Sequence, residues 1–163
     1  MMSLFKKSLI VFSFLIVTFA SQANTDLASL KARYFDAARE GNQAMLEAFY
    51  DAGLDANVAD EKGYTALILA AYHGHTDTVD YLINTAKANP CQEDNRGNTA
   101  LMGAIFKGHV SVANQLVFAD CNIDEENEQG QTALMFASLF DRQEIINTLI
   151  DKGADTHHKD KAG

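Results

Sequence analysis

The segment GYTALILAAYHGHTDTVDYLI, residues 63–83, decides the fold because its pattern returns twice further along the chain. GNTALMGAIFKGHVSVANQLV begins at Gly97 and GQTALMFASLFDRQEIINTLI begins at Gly130, so the leading glycines lie 34 and 33 residues apart. A period in this range predicts a solenoid, in which each supersecondary unit buries its apolar face against its neighbours.

Each copy contains two predicted helices. In the second helix, apolar residues recur at i, i+3 and i+4: Val79, Leu82 and Ile83; Ala113, Leu116 and Val117; Ile146, Leu149 and Ile150. One apolar stripe at this period predicts a helix that packs on one side only. In the first helices, Ala70, Ala104 and Ala137 share one register position, and their small side chains let neighbouring helices approach closely.

The repeated phrase resembles the ankyrin repeat, with Thr-Ala-Leu in place of the commoner Thr-Pro-Leu. The texts GLDANVAD (53–60) and GADTHHKD (153–160) are similar to the turn of that family. The resemblance covers residues 30–163 and implies an all-α ankyrin-repeat solenoid of stacked helix-turn-helix units joined by β-hairpin-like turns. We place a capping repeat at 30–60 and full repeats at 61–94, 95–127 and 128–160.

Two departures from the repeat pattern carry predictions. Asp141-Arg142 replaces the Gly-His that joins the helices in the earlier copies. Because Asp tolerates a left-handed backbone less well than Gly, the last repeat should be the least stable. The text between Ile83 and Asp94 lacks a glycine, contains Pro90 and is one residue longer than its later equivalent, so this turn should deviate.

The first residues have the three-part pattern of a secretory signal peptide. Lys6 and Lys7 precede an uncharged apolar run at 9–20, and the small residues Ser21 and Ala23 suit a signal peptidase. The alternative is an uncleaved anchor, although the run is shorter than the roughly 20 residues of a membrane-spanning helix. We expect cleavage after Ala23, with Ala20 as the alternative site, and a mature chain of residues 24–163 in the periplasm or secreted.

The charge balance disfavours nucleic-acid binding. The formal net charge is −9, and removal of Lys6 and Lys7 would make it −11, so the chain would repel a phosphate backbone. Carboxylates gather in the predicted turns, where we expect most of them to be solvated: Asp60, Glu61, Glu93, Asp94 and the acidic residues of 124–128. Stacked turns would form an acidic ridge, which weakly favours a basic partner.

His73 and His75 raise the question of a metal site. His75 has a counterpart in His109, whereas the position of His73 holds Lys107 in the next copy. The resemblance implies that His75 has a structural role at the start of the second helix. An i, i+2 pair across a turn does not by default aim both rings at one ion, and zinc needs further ligands. We therefore expect no metal or other cofactor.

Cys91 and Cys121 are the only cysteines, and export would place them in an oxidising compartment. They occupy different positions along their turns, so spacing alone does not show whether their Cα atoms come within roughly 7 Å, as a disulfide requires. A disulfide between neighbouring repeats and a free pair of thiols both remain open. The alternative function is accordingly a redox- or metal-handling periplasmic protein that uses these cysteines and the surface histidines.

The resemblance implies that a partner protein contacts the turn tips and the concave face of the first helices. The matching turn positions are Glu61, Lys62, Tyr64, Asn95, Arg96, Asn98, Glu128, Gln129 and Gln131. The matching helix positions are Tyr72, His73, Phe106, Lys107, Leu139 and Phe140. Accessible aromatic side chains are frequent interface anchors, and the alternative is that these rings pack between repeats as core.

The predicted function is a non-enzymatic protein–protein interaction module, because the chain contains no recognisable catalytic or phosphate-binding motif. The resemblance to exported bacterial ankyrin proteins implies an accessory role in oxidative-stress defence. The alternative for a small exported binding protein is an immunity role against a toxin. We expect the mature chain to be monomeric or part of a hetero-complex, with no nucleic-acid or membrane partner.

Overall fold

The computed structural model describes residues 26–163, so the predicted signal peptide at 1–23 lies outside the described residues. The described residues fall into two units, residues 26–33 and residues 34–163. In the first unit the described residues are helical. The second unit contains the repeats, and all that follows concerns it.

Helices occur in consecutive pairs, one pair for each predicted repeat. The described residues 26–40 are helical and form α1. The helices that follow are α2 Gln43–Asp51, α3 Ala66–His73, α4 Thr76–Asn84, α5 Ala100–Lys107, α6 Val110–Val117, α7 Ala133–Leu139 and α8 Gln143–Asp151. Between residues 26 and 163 no strand forms, and the turns contribute only the isolated bridges Ala59–Thr65 and Glu93–Thr99. This confirms the predicted all-α solenoid with hairpin-like turns.

The threonine of each repeated phrase starts the first helix of its repeat. Thr65, Thr99 and Thr132 have an extended backbone, and each Oγ1 accepts a hydrogen bond from the backbone N–H three residues further on. This satisfies one of the N–H groups that the first helical turn leaves without a partner. All three side chains are buried, so the cap also fills space between the turns and the core.

Asx side chains close the turns that precede these helices. Oδ1 of Asp60, Asp94 and Asn127 each accepts two backbone N–H bonds from the residues two and four positions ahead. Asp94 is only 9% exposed. The expectation that the turn carboxylates are solvated is therefore wrong for Asp94, whose carboxylate is a structural part of its turn.

Neighbouring repeats are joined through both their turns and their helices. The N–H of Asn95 donates to the carbonyl of Lys62 at 3.0 Å, and the N–H of Glu128 donates to the carbonyl of Arg96 at 2.9 Å. Ala70, Ala104 and Ala137 are fully buried in the stack of first helices. Large apolar side chains from every helix pair complete one continuous core that includes Tyr34, Leu46, Leu67, Leu82, Ile105 and Leu149.

His75 and His109 connect each repeat to the one before it. Nε2 of His75 donates to the carbonyl of Arg39 at 2.7 Å, and Nε2 of His109 donates to the carbonyl of Tyr72 at 3.2 Å, because a carbonyl can only accept. In the last repeat Nε of Arg142 takes over and donates to the carbonyl of Ile105 at 3.3 Å. His75 therefore has the structural role that its register implied.

The turn that contains Pro90 does deviate. Its helix ends with the N–H of Ala88 bonded to the carbonyl of Leu82, six residues earlier, whereas the N–H of Ala154 bonds to the carbonyl of Leu149, five residues earlier. Lys87 adopts φ 59°, the left-handed conformation that glycine adopts in other turns. The extra residue is thus accommodated as a wider loop after α4.

Asp141 adopts φ 54°, at the position where the earlier repeats have glycine. We expect Asp141→Gly to raise the free energy of unfolding by about 1 kcal/mol, because glycine has no Cβ to oppose this conformation. Urea denaturation measures the change. Asp80→Gly, inside α4, is the matched control and should lower stability by a similar amount. A neutral or destabilising Asp141→Gly would contradict the assignment of strain to this repeat.

Candidate protein-binding groove

A groove of about 600 Å³ runs along the first helices and their preceding turns. Helices α3, α5 and α7 supply its floor with Ile68, Leu69, Met102, Gly103 and Phe136. Since Gly103 has no side chain, the floor is open at this position. A Cβ placed there would meet the Tyr72 ring at 3.8 Å, an ordinary contact distance. Steric contacts therefore do not require glycine at this position, and the space above it is free.

Aromatic rings form a row across the repeats. Tyr72 and Phe106 stack with ring centroids 6.2 Å apart, and Phe106 meets Phe140 edge-to-face at 5.0 Å. Tyr72 remains 37% exposed and Phe106 43% exposed. The rings therefore contact one another across repeats and still present accessible apolar surface. They combine both alternatives considered from the sequence, packing between repeats and exposure as interface anchors.

Positive charge predominates in the groove lining. Arg39, Lys62 and Arg96 line the groove together with a single carboxylate, that of Asp94. Arg39 is partly engaged, since its guanidinium lies 2.8 Å from Asp36. Within the described part of the chain, Lys62 and Arg96 have no carboxylate within 4.0 Å. The two turn cations are thus available to a ligand.

His73 adds a polar but weakly basic group to the same groove. Burial lowers the pKa of His73 below its usual value, and the positive charge of neighbouring groups, which include His75 and Arg39, lowers it further. The neutral imidazole is consequently favoured near neutral pH, where it can both donate and accept a hydrogen bond.

The groove contains most, but not all, of the binding residues predicted from the sequence. Nine line it: Lys62, Tyr64, Tyr72, His73, Arg96, Asn98, Phe106, Gln129 and Gln131. Six lie outside its lining: Glu61, Asn95, Lys107, Glu128, Leu139 and Phe140. Among the six, Leu139 is 70% exposed and Nζ of Lys107 lies 5.1 Å from the centroid of the Tyr72 ring. Partner contact by any of these residues stays a prediction.

Sequence reasoning missed nine groove residues: Arg39, Ile68, Leu69, Asp94, Thr99, Met102, Gly103, Asn127 and Phe136. Arg39 stands two residues before Gly41, as Tyr72 stands two before Gly74, so extending the repeat register into the capping repeat would have found it. Phe136 lies one helical turn before Leu139 and therefore on the same face of α7. The available signal was the i, i+3 spacing of the first helices.

Cys91 and Cys121 form a disulfide with a Cα–Cα distance of 5.5 Å. It joins the loop after α4 to the loop after α6, outside the groove lining. Of the two alternatives that the sequence left open, the structure contains the disulfide between neighbouring repeats. Residues 26–163 contain no cluster of three or more His, Cys, Asp or Glu side chains arranged to hold a metal ion.

Stacked helix pairs with capped turns and a lateral groove define a helical-repeat solenoid, a class of protein that presents an extended binding surface. Comparison with protein families identifies one family within this class. Residues 34–127 match the model for ankyrin repeats in three copies, and residues 129–161 match the model for a further ankyrin repeat. The chain belongs to the ankyrin repeat family.

Similar proteins bear names of the same family. The chain is 33% identical over 126 residues to an ankyrin repeat-containing protein of Treponema pallidum, which covers 76% of this chain and 42% of that protein. It is 51% identical over 45 residues to the ankyrin repeat protein PA3287 of Pseudomonas aeruginosa, or 28% of this chain and 26% of that one. The chain thus spans less than half the length of either relative.

Ankyrin repeats are generally protein–protein interaction modules without enzymatic activity, and they imply a protein partner. None of the helices in the described part of the chain combines the length and the apolar character that crossing a membrane demands.

Proposed function

We propose that this chain is a periplasmic binding module that holds a partner protein in the groove and performs no catalysis itself. The observation that carries the proposal is the accessible Tyr72–Phe106 pair beside an open apolar floor at Gly103. Large aromatic side chains that a partner can desolvate provide much of the energy of protein interfaces. A partner side chain inserted above Gly103 would contact both the rings and the floor.

Export to an oxidising compartment is part of the proposal. It is supported by the signal-like pattern of residues 1–23 and by the Cys91–Cys121 disulfide. Disulfides persist in the periplasm and outside the cell and are rare in reducing cytosol. Cell fractionation with an antibody against the chain tests the location, and recovery of the protein only in the cytosol would overturn this part.

Capture experiments on groove variants test the binding site. Gly103→Leu would fill the open space above Gly103 and should abolish capture of a partner from a periplasmic extract, whereas Gly103→Ala should leave it nearly unchanged. The double variant Tyr72→Glu, Phe106→Glu should also lose the partner. Phe118→Glu is the control, because Phe118 is aromatic and even more exposed but does not line the groove. Retention of the partner by Gly103→Leu would place the binding site elsewhere.

Gly103→Ala should itself stabilise the protein by about 0.5–1 kcal/mol, because glycine inside a helix is less favourable than alanine. The new methyl group has room, since its nearest neighbour would be the Tyr72 ring at 3.8 Å. Urea denaturation of the variant beside the parent protein measures the change. A loss of stability would mean that the space above Gly103 is not free.

A further inference from the structure

We propose that the groove binds an acidic, extended segment of the partner that also carries a large apolar side chain. This inference rests on the proposed function and specifies the chemistry of the ligand. It reverses the expectation of a basic partner that the acidic composition of the chain suggests.

The first support is the separation of charge over the molecule. The chain has 22 Asp and Glu residues and a net charge of −9, yet the groove lining has three cations and only one carboxylate. Arg39 is paired with Asp36 at 2.8 Å and Asp60 at 3.7 Å, so the cations open to a ligand are Lys62 and Arg96. The second helices of the repeats carry exposed acidic residues instead, among them Asp77 and Asp80 on α4 and Glu144 and Asp151 on α8. An acidic ligand would thus be repelled from the outer surface and attracted to the groove.

The single groove carboxylate is already satisfied. Oδ1 of Asp94 accepts the backbone N–H groups of Arg96 and Asn98 at 2.8 and 2.9 Å, and Oδ2 accepts the Asn98 side-chain amide at 3.1 Å. These bonds engage both carboxylate oxygens and direct their lone pairs into the turn. Asp94 therefore opposes an incoming carboxylate less than its formal charge suggests.

The second support is the position of the cations. Lys62 and Arg96 occupy the same register position in adjacent turns, and the Asn95–Lys62 backbone bond joins those turns directly. Both side chains are exposed and have no carboxylate within 4.0 Å in the described residues. Two successive acidic side chains of one bound segment can pair with two successive repeats. An Arg guanidinium can also hold a carboxylate by two parallel hydrogen bonds.

The third support is the separation of charged and apolar features along the helices. The turn cations precede α3 and α5, whereas Tyr72 and Phe106 lie near the ends of these helices. Tyr72 lies seven positions after Thr65, which is about 10 Å along the helix axis at 1.5 Å per residue. A segment that crosses this distance can place carboxylates at the turns and an apolar side chain above Gly103. A small inorganic anion would contact only the turn cations and not the apolar residues.

A polar group in the turn that precedes α7 also suits a peptide. The Gln129 side-chain amide lines the groove and makes no hydrogen bond to another described residue. A side-chain amide can donate to and accept from a peptide backbone. A nucleic acid fits poorly, because the few groove cations would have to offset repulsion by an acidic molecule.

Selection from a displayed library of random peptides tests the proposal. The target is the protein purified from cells that express the full chain, at low ionic strength. We expect recovered peptides to be enriched in Asp and Glu around an aromatic or large aliphatic residue, and to bind more weakly as sodium chloride is added. Enrichment of basic or uncharged peptides, or no enrichment, would overturn the proposal.

Matched charge variants locate the site. Lys62→Glu with Arg96→Glu should weaken a recovered peptide at least about tenfold, the effect of losing roughly 1.4 kcal/mol. Lys87→Glu with Lys159→Glu makes the same change in net charge at exposed lysines outside the groove lining. It should change the affinity less than about twofold, because salt screens exposed charges that lie away from the bound peptide. Equal effects of both pairs would overturn the assignment of the acidic segment to the groove.

Failure of this inference is distinguishable from failure of the proposed function. Basic or neutral peptides that Gly103→Leu excludes would leave the groove as a binding site and overturn only its acidic specificity. Peptides of any composition that still bind Gly103→Leu would overturn the groove itself. Thermal unfolding of each variant, measured beside the parent protein, ensures that only folded proteins are compared.

Discussion

Replacement of both Cys91 and Cys121 by serine is expected to lower the free energy of unfolding by about 3–4 kcal/mol. The disulfide closes a loop with a sequence separation of 30 residues, and its main effect is to restrict the unfolded chain. The loss is large for a repeat protein, because each repeat is stabilised only by its immediate neighbours. Urea denaturation of the variant and the oxidised parent protein measures the difference.

The reduced parent protein is the control for the serine substitutions. With both thiols free it should unfold near the midpoint of the double-serine variant, since each lacks the same loop constraint. Hydrogen exchange should increase most in the loops after α4 and α6, which the bond joins. A decrease in the free energy of unfolding of less than about 1 kcal/mol would contradict the chain-entropy account of this bond.

The repeated phrase was sufficient to predict the fold, because its residues perform the same local task in every copy. Thr65, Thr99 and Thr132 cap the first helices, and the equivalent alanines permit close packing. Such local rules depend on register, which is visible in a sequence. The scaffold role of His75 was predictable for the same reason, and it is confirmed by the bond to the Arg39 carbonyl.

The disulfide was not predictable, because it depends on the path of two irregular loops. Cys91 follows the widened loop that contains Lys87 and Pro90, and the extra residue there changes the register relative to Cys121. A distance between such loops is a property of the packed repeats. Sequence spacing could define the two outcomes but could not choose between them.

The charge of the candidate site was also hidden from the sequence. Counting residues indicated an acidic ridge of turns, but Asp94 turns inward to accept backbone hydrogen bonds. Lys62, which follows Glu61, and Arg96, which lies two residues after Asp94, line the groove. The direction of each side chain within a turn decides which charge a ligand meets. This direction follows from the Asx hydrogen bonds, which net charge does not show.

Gly74→Ala is expected to lower the free energy of unfolding by about 2–3 kcal/mol, in two parts. Gly74 has φ 81°, a left-handed conformation that disfavours a Cβ. The added Cβ would also lie 2.6 Å from Nδ1 of His109, whose Nε2 is bonded to the Tyr72 carbonyl. The ring cannot withdraw without loss of that bond between repeats.

Two other glycines separate these contributions in urea denaturation. Gly53 has φ 89°, and a Cβ added there would have no atom within 4 Å, so Gly53→Ala should show only the backbone cost of about 1 kcal/mol. Gly108→Ala should be intermediate, because its Cβ would meet the flexible guanidinium end of Arg142 at 2.9 Å. Equal losses of unfolding free energy at all three positions would mean that the His109 ring moves aside without a measurable cost. In that case the histidine bond would contribute little to the coupling between repeats.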